Sequence, residues 1–509
     1  MQLVKNVLSS WGLQFLNLAV VLFLTPYIIG MLGESRAGIW YLLGSITGYF
    51  GILAFGIPGA AEKYVAQYLA AGDRDKVNRI VSTSLVLSVW VAIAAAAVAA
   101  ALWLNVDRIF TIEPGHVSEA RAVLFVVGID LALGYPCGLM FNVLRGFNRE
   151  DVCNAVLVPL ILLKGGGMYI ALRLGAGVTA LVLIQLAANL LSYAAVTLWL
   201  FRLAPWIRVR RGLVDRSVYR LLLAFGAFQF FAMAADHIMV YTDRVIVAGV
   251  IGTATVTVYN IAAQMQFYAR LISSGLGMPL RPMASHLHAL GDYDALRKLL
   301  IVGGRILLVL LGGVYVLYAT WGDRFIAVWL PMLDEQVVYV CLLILIGPAF
   351  LMVVLGAGVH IMYGMGRHKP FALLGIVVAV VNVGLSLWLA RSIGVYGVAI
   401  GTMAPLLVVR GLYMYYYVPH IVKMSPWRFV AGTWGRPLLG LVPLAAVLTA
   451  LRFLINFDRL LWLLVFFVLV GLCYAAWVYL VVLTAEEKQL ARDIAAGRPF
   501  RLPREGGNS

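Results

Sequence analysis

The chain is 509 residues long, with 63% hydrophobic and 12% charged residues and a mean hydropathy of +0.94. A soluble domain is about half apolar and about a quarter charged, so there is too little polar surface here to coat a globule in water; soluble enzymes, disordered scaffolds and nucleic-acid-binding domains are excluded. The net charge of +16 does not restore a nucleic-acid reading, because the Lys and Arg residues sit mostly in short gaps between apolar runs.

The first apolar run, about 7 to 31, follows Lys5. It is too long for the apolar core of a signal peptide and lacks a small-residue cleavage site, which predicts a retained first span. Thirteen further runs of about the length a bilayer core requires follow at 38 to 60, 77 to 104, 121 to 144, 152 to 172, 177 to 201, 219 to 248, 254 to 278, 297 to 320, 337 to 363, 371 to 390, 396 to 418, 437 to 455 and 460 to 484. The runs are continuous rather than alternating, so the expectation is an all-α polytopic membrane protein of about 14 transmembrane helices and not a barrel. With charges within three residues of a span end assigned to the adjoining gap, even-numbered gaps and both tails hold 26 Lys and Arg, odd-numbered gaps hold 8, and five lie deeper inside spans. That asymmetry places both termini in the cytoplasm. The most basic gap, with Arg202, Arg208, Arg210, Arg211, Arg216 and Arg220, reads as an orientation signal lying on anionic lipid and is compatible with a hinge.

Sliding the sequence against itself by 219 residues brings landmarks into register. Gly30 meets Gly249, Gly33 meets Gly252, Trp40 meets Tyr259, Gly56 meets Gly275, and Gly72-Asp73-x-Asp75 meets Gly291-Asp292-x-Asp294; later Gly128 meets Gly347 and Gly175 meets Gly394. Six spans separate the copies, so the halves point the same way, as in the parallel repeats of secondary transporters with a substrate site between them. The expected organisation is a six-helix lobe over 1–205, a basic cytoplasmic linker over 206–218, a second six-helix lobe over 219–420, and a last helix pair with a cytoplasmic tail over 421–509.

Several segments carry a family likeness: Leu24-Thr25-Pro26-Tyr27-Ile28-Ile29-Gly30 running to Gly33, Ala37-Gly38-Ile39-Trp40, the Tyr64 to Gly72 segment ending in Gly-Asp-Arg-Asp, Asp243-Arg244 leading to Tyr259, and Ile393-Gly394-Val395-Tyr396-Gly397-Val398-Ala399. On these elements, over roughly 5 to 420, the chain resembles the polysaccharide-exporter, oligosaccharide-flippase branch of the multidrug/oligosaccharidyl-lipid/polysaccharide (MOP) exporter superfamily. The resemblance implies a two-lobed flippase in the bacterial inner membrane, moving an undecaprenyl-pyrophosphate-linked oligosaccharide, with a polysaccharide polymerase or glycosyltransferases as candidate partners.

A charge at mid-bilayer costs roughly 2.5 to 3.5 kcal/mol even on the lenient insertion scale, so each one needs a partner or a task. Arg270, Arg305, Lys164, Arg410 and Arg244 are the candidates for a cationic cavity that takes a pyrophosphate head group, Arg offering a planar fork of donors and Lys a point charge. Asp130, Asp236, His237 and His360 are candidates for taking up a driving proton or cation, or for neutralising those arginines. Asp236, Val240, Asp243 and Arg244 share one helical face, and Ser10, Gln14 and Asn17 form a matching polar stripe in span one. Gly44-x-x-x-Gly48 and Gly397-x-x-x-Gly401 predict close helix packing, and Gly165-Gly166-Gly167 with Pro159 predicts a bend.

No cofactor or metal is expected. The cysteines Cys137, Cys153, Cys341 and Cys473 have no CxxC or zinc spacing, His286-x-His288 stands alone, and no phosphate-cradling Gly-x-x-x-x-Gly-Lys occurs. A membrane enzyme generally needs a sizeable extracytoplasmic loop, and here the longest on that side, 105 to 120 and 321 to 336, carry no triad or metal set. A cation-coupled multidrug exporter of the same superfamily is the alternative; five cations inside spans weigh against it.

Overall fold

The computed structural model describes the backbone of residues 2–277, 280–485 and 487–489, and their side chains except 2–11, 227–229, 231–233, 235, 236, 239 and 271–277. Among the described residues the secondary structure is helical, and eleven helices are long and apolar enough to cross a membrane. The chain divides into two compact units, Met1–Thr257 and Val258–Ser509.

In the first unit, α1 (Gln2–Leu53) carries the first two predicted spans in one element, broken at Gly33, where φ is 76°. It is followed by α2 (Ile57–Ala70), α3 (Arg74–Ile109), α4 (Val117–Gly146), α5 (Glu150–Arg173), α6 (Val178–Leu203) and α7 (Arg216–Val250). The 25 residues of α8 (Thr253–Gly277) begin in this unit and end in the next. Buried residues of α2, α3 and α4, among them Ala60, Val65, Ile80, Val143 and Leu144, form one apolar core with Leu200 of α6 and Leu222 of α7. Helical geometry is kept through the three glycines of α5; Gly165 lies against Val20 of α1 and Gly167 against Ile184 of α6, so these two serve close approach, while Gly166 faces open space.

The second unit continues with α9 (Leu280–Ala289), α10 (Tyr293–Trp329), α11 (Glu335–Met352), α12 (Leu355–Gly364), α13 (Lys369–Ile393), α14 (Val395–Pro405), α15 (Leu412–Ile421), α16 (Pro426–Leu454) and α17 (Leu460–Trp477). A π-helical segment, Leu406–Gly411, joins α14 to α15 directly after Pro405. The last two helices dock on α10: the buried Trp321 donates from Nε1 to the Leu448 carbonyl at 2.9 Å and packs among Phe457, Phe466 and Leu463, while Arg452 of α16 pairs with Asp323.

The shift of 219 is visible in backbone geometry. Asp73 caps α3 by accepting from the Lys76 N–H, and Asp292 caps α10 by accepting from the Ala295 N–H. Ahead of each, a glycine takes the left-handed conformation, Gly72 at φ 73° and Gly291 at φ 69°. Asp73 N donates to the Tyr68 carbonyl and Asp292 N to the Leu287 carbonyl, each at 3.0 Å. Gly33 and Gly252, and Gly175 and Gly394, also share positive φ at that spacing. The α4 to α5 turn has Asn148 at φ 58°, and its counterpart Gly366 has φ 69° at a shift of 218, so one residue has been lost there and regained before Gly394.

The basic linker is not a free hinge. A polar stripe on α3 clasps it: Asn78 accepts from Arg208 N at 2.9 Å and donates to the Trp206 carbonyl, Ser82 bonds the backbone of Arg208 and Arg210, and Thr83 accepts from Asp215 N at 3.1 Å. Arg79 pairs with Asp215 at 2.8 Å. The Ser217 hydroxyl and N–H, together with Arg79, hold the Asp215 carboxyl at about 2. Its folded value is below its ordinary one, so its contribution is present above the ordinary range, about pH 4, and is lost as pH falls toward 2. Trypsin should therefore cut slowly after Arg208, Arg210 and Arg211 in the folded chain, and the double variant Asn78→Ala, Ser82→Val should be cut several-fold faster. Equal rates would show that the clasp does not hold the linker.

Candidate functional site

Two of the predicted groups in the first unit meet. Asp130 of α4 accepts from Asn189 of α6 with both carboxylate oxygens, at 3.1 and 2.9 Å, and interacts electrostatically with Lys164 of α5. Three helices thus bring an acid, a cation and an amide together where apolar surroundings would penalise either charge alone. One turn along α6, Tyr193 lies beside Gly134 and Gly138 of α4 and meets Phe141 edge-on. Asn189 lies outside the predicted site residues, which are ionisable groups and the Ser10, Gln14 and Asn17 stripe of span one; a single Asn in the apolar run of span six is the signal it leaves in the sequence.

The polar end of α7 packs against α1. His237 donates from Nδ1 to the Gly48 carbonyl at 2.7 Å, Thr242 shares a hydrogen bond with Tyr49, and Arg244 donates from Nη1 to Ser45 Oγ at 3.4 Å. Gly48 is required here: a Cβ would fall within the Tyr241 ring, and one at Gly51 would press on His237, whereas Gly44 of the predicted glycine pair faces open space. Asp243 is 4% exposed, so this stretch of the predicted polar face is packed, not open. Gln14 and Asn17 are exposed on α1. The side chains of Asp236 and Ser10 lie outside the described residues.

In the second unit the cations have different surroundings. Arg270 is exposed on α8, its guanidinium 5.6 Å from the centre of the Phe267 ring, and among the described residues no carboxylate pairs with it. Arg305 of α10 is tied down: Nε donates to the Gly432 carbonyl of α16 at 2.5 Å, and Nη1 meets Glu487 at 3.3 Å. Glu487 is 6% exposed and also accepts from Thr484 N, so Arg305 joins α10, α16 and the C-terminal segment. His360 of α12 accepts at Nδ1 from Arg281 of α9 at 3.1 Å. Arg410, in the π-helical segment, stands 3.6 Å from the centre of the Phe371 ring. The pairings of Arg305 with Glu487 and of Arg281 with His360 are not legible in the sequence, because the partners are remote in the chain and only folding brings them together.

The predicted pair Gly397 and Gly401 does serve packing, against the Leu389 backbone and Ser386 of α13. Asn382 of α13 reinforces that contact by donating to Thr402 at 2.7 Å.

If Lys164 offsets the charge of Asp130, Lys164→Met should lower thermal stability in detergent and the double variant with Asp130→Asn should regain most of the loss, with a coupling of about 0.5 to 3 kcal/mol. Additive effects would mean the two do not interact.

Residues 11–162 match the MatE family model, and residues 140–331 match the model of the polysaccharide biosynthesis protein family. An uncharacterized membrane protein EpsK of Bacillus subtilis is 21% identical over 495 residues, covering 93% of this chain and 94% of that protein. A probable multidrug resistance protein NorM of Bradyrhizobium diazoefficiens is 25% identical, covering 58% of this chain and 67% of that protein. Among solved structures, the lipid II flippase MurJ in an inward closed conformation superposes with a TM-score of 0.68 at 12% identity, over 94% of this chain and 99% of that one. An inward-facing multidrug resistance MATE family transporter gives 0.66 at 15% identity, over 80% of this chain and 95% of that one. At such identities these structural likenesses concern the fold.

Proposed function

The chain belongs to the polysaccharide-exporter branch of the MOP exporter superfamily, and from that premise we propose that it flips an undecaprenyl-pyrophosphate-linked oligosaccharide repeat unit, of O-antigen, capsule or exopolysaccharide type, across the bacterial inner membrane by alternating access. In this reading it is a transporter and not an enzyme, its fourteen spans leave both termini in the cytoplasm, and its first six spans and next six form the two lobes. The observation that carries the proposal is Arg270: an exposed guanidinium within a span, resting on an aromatic ring with no described carboxylate to neutralise it. Such a group suits phosphate oxygens, which accept from the planar fork, and repels cationic drugs. The match of residues 140–331 to the polysaccharide biosynthesis protein model and the near full-length fold likeness to the lipid II flippase support the same direction.

A second reading, a cation-coupled multidrug exporter, is favoured by the MatE match over 11–162 and by the NorM relatives. In that reading Asp130 is the coupling acid of the first unit.

Deleting the gene should cause lipid-linked repeat units to build up on the inner leaflet, with drug susceptibility unchanged. The reverse result favours the exporter. Within complemented strains, Arg270→Ala should cut glycan export at least tenfold at equal protein level and leave thermal stability alone. Arg305→Ala and Glu487→Ala should both lower stability, as expected of an ion pair that joins helices. Unchanged export in the Arg270 variant removes that residue from the site.

A further inference from the structure

Between Glu335 and Asp458 the sequence contains no Asp or Glu, yet it holds eight Lys and Arg and three His. A stretch of this kind cannot neutralise itself. The structure gathers part of its charge at one place, around the turn between α12 and α13. Arg281 of α9 donates from Nε to His360 Nδ1 and lays its guanidinium 4.8 Å from the centre of the Tyr363 ring. Tyr363 stacks on His368 at 4.8 Å with 13° between the planes, and meets Phe371 edge-on at 6.3 Å. Phe371 in turn carries Arg410 on its face. The result is a continuous series of cations and rings running from an exposed turn into the span that holds Arg410. Arg367 and Lys369 flank it, both exposed.

Among the described residues, no carboxylate pairs with Arg281, Arg367 or Lys369. A ring beneath a guanidinium covers its face and leaves the N–H donors at its edge available. Among the described residues Arg281 spends Nε on the His360 imidazole and no side-chain bond of its Nη groups is formed, so these donors remain for another group. Several edge-on donors, two further exposed cations and no competing acid describe a receptor for a dense, multiply charged anion with oxygen acceptors.

We propose that this cluster is a phosphate-recognition site that engages the pyrophosphate head of a polyprenyl lipid at the cytoplasmic surface before turnover. The assignment rests on the flippase reading and on the cytoplasmic placement of this turn. Arg281, Arg367 and Lys369 receive the head group at the rim, and Arg410 is the next cation inward.

The test uses the purified full chain in detergent micelles, titrated by calorimetry with undecaprenyl pyrophosphate, phosphatidylglycerol and inorganic pyrophosphate. Undecaprenyl pyrophosphate should bind, with affinity lowered about tenfold or more, some 1.4 kcal/mol, in Arg281→Ala and in the double variant Arg367→Ala, Lys369→Ala. Arg428→Ala, which removes an exposed cation elsewhere in the acid-free stretch, should stay within twofold. Arg281→Lys keeps the charge without the fork and should fall between. Should Arg281→Ala not fold, the exposed double variant still decides the matter, and undiminished affinity there overturns the proposal. Equal affinity for inorganic pyrophosphate would make this a soluble-phosphate site, and equal affinity for phosphatidylglycerol a general lipid contact; either outcome overturns the assignment. Loss of binding in the variants, alongside no build-up of lipid-linked units on gene deletion, would keep the site and remove the flippase reading. The opposite pair of results would remove the site alone.

Discussion

Hydrocarbon offers no hydrogen-bond partner, and the constraint this places on every polar atom organises the molecule. The backbone meets it by forming helices throughout the described residues. The side chains meet it in two ways. Where an acid is at hand, charges pair, Arg305 with Glu487 and Arg452 with Asp323, and Lys164 stands within the field of Asp130. Elsewhere guanidinium faces rest on rings, Arg410 on Phe371 and Arg281 on Tyr363. The two solutions differ in consequence. A paired charge is neutralised, whereas Arg281, resting on a ring and bonding through Nε to an imidazole, keeps its Nη donors among the described residues for another anion.

Duplication explains why the same local devices recur. A helix entering the bilayer from a polar loop exposes N–H groups that need acceptors, and Asp73 and Asp292 supply them in equivalent turns. The left-handed residue before each cap lets the chain reverse sharply, which is why Gly72 and Gly291 stand there. The copies have diverged in their interiors. α4 runs unbroken through Pro136, while the corresponding stretch of the second unit divides into α11 and α12 at Val353 and Val354. His360 and Tyr363 stand on the shorter helix that results, beside the turn that carries Arg367 and Lys369.

Small residues and one polar stripe do much of the remaining positioning. Gly48 lets Tyr241 and His237 of α7 approach α1, and Gly397 and Gly401 let α14 approach α13. On α3, Asn78, Ser82 and Thr83 satisfy backbone groups of the strap between α6 and α7. A segment that is basic and exposed is therefore also conformationally held, with Arg208, Arg210 and Arg211 displayed on a fixed backbone.

Composition, periodicity and self-similarity determined the fold class, the apolar spans, the repeat and its capping residues, because each depends on local chemistry: hydrocarbon thickness, helix ends, positive φ. They also marked which charges were anomalous in lipid. Partnership was decided only in three dimensions. Arg305 has no acid within a turn of its own helix and finds Glu487 far along the chain; Arg281 and His360 lie on separate helices and meet side by side. Tertiary structure likewise gave Gly165 and Gly167 of α5 neighbouring helices to lie against and showed the basic linker held by α3. A residue type announces that a charge must be compensated; which group compensates it is a matter of distances between helices, and no local pattern encodes those.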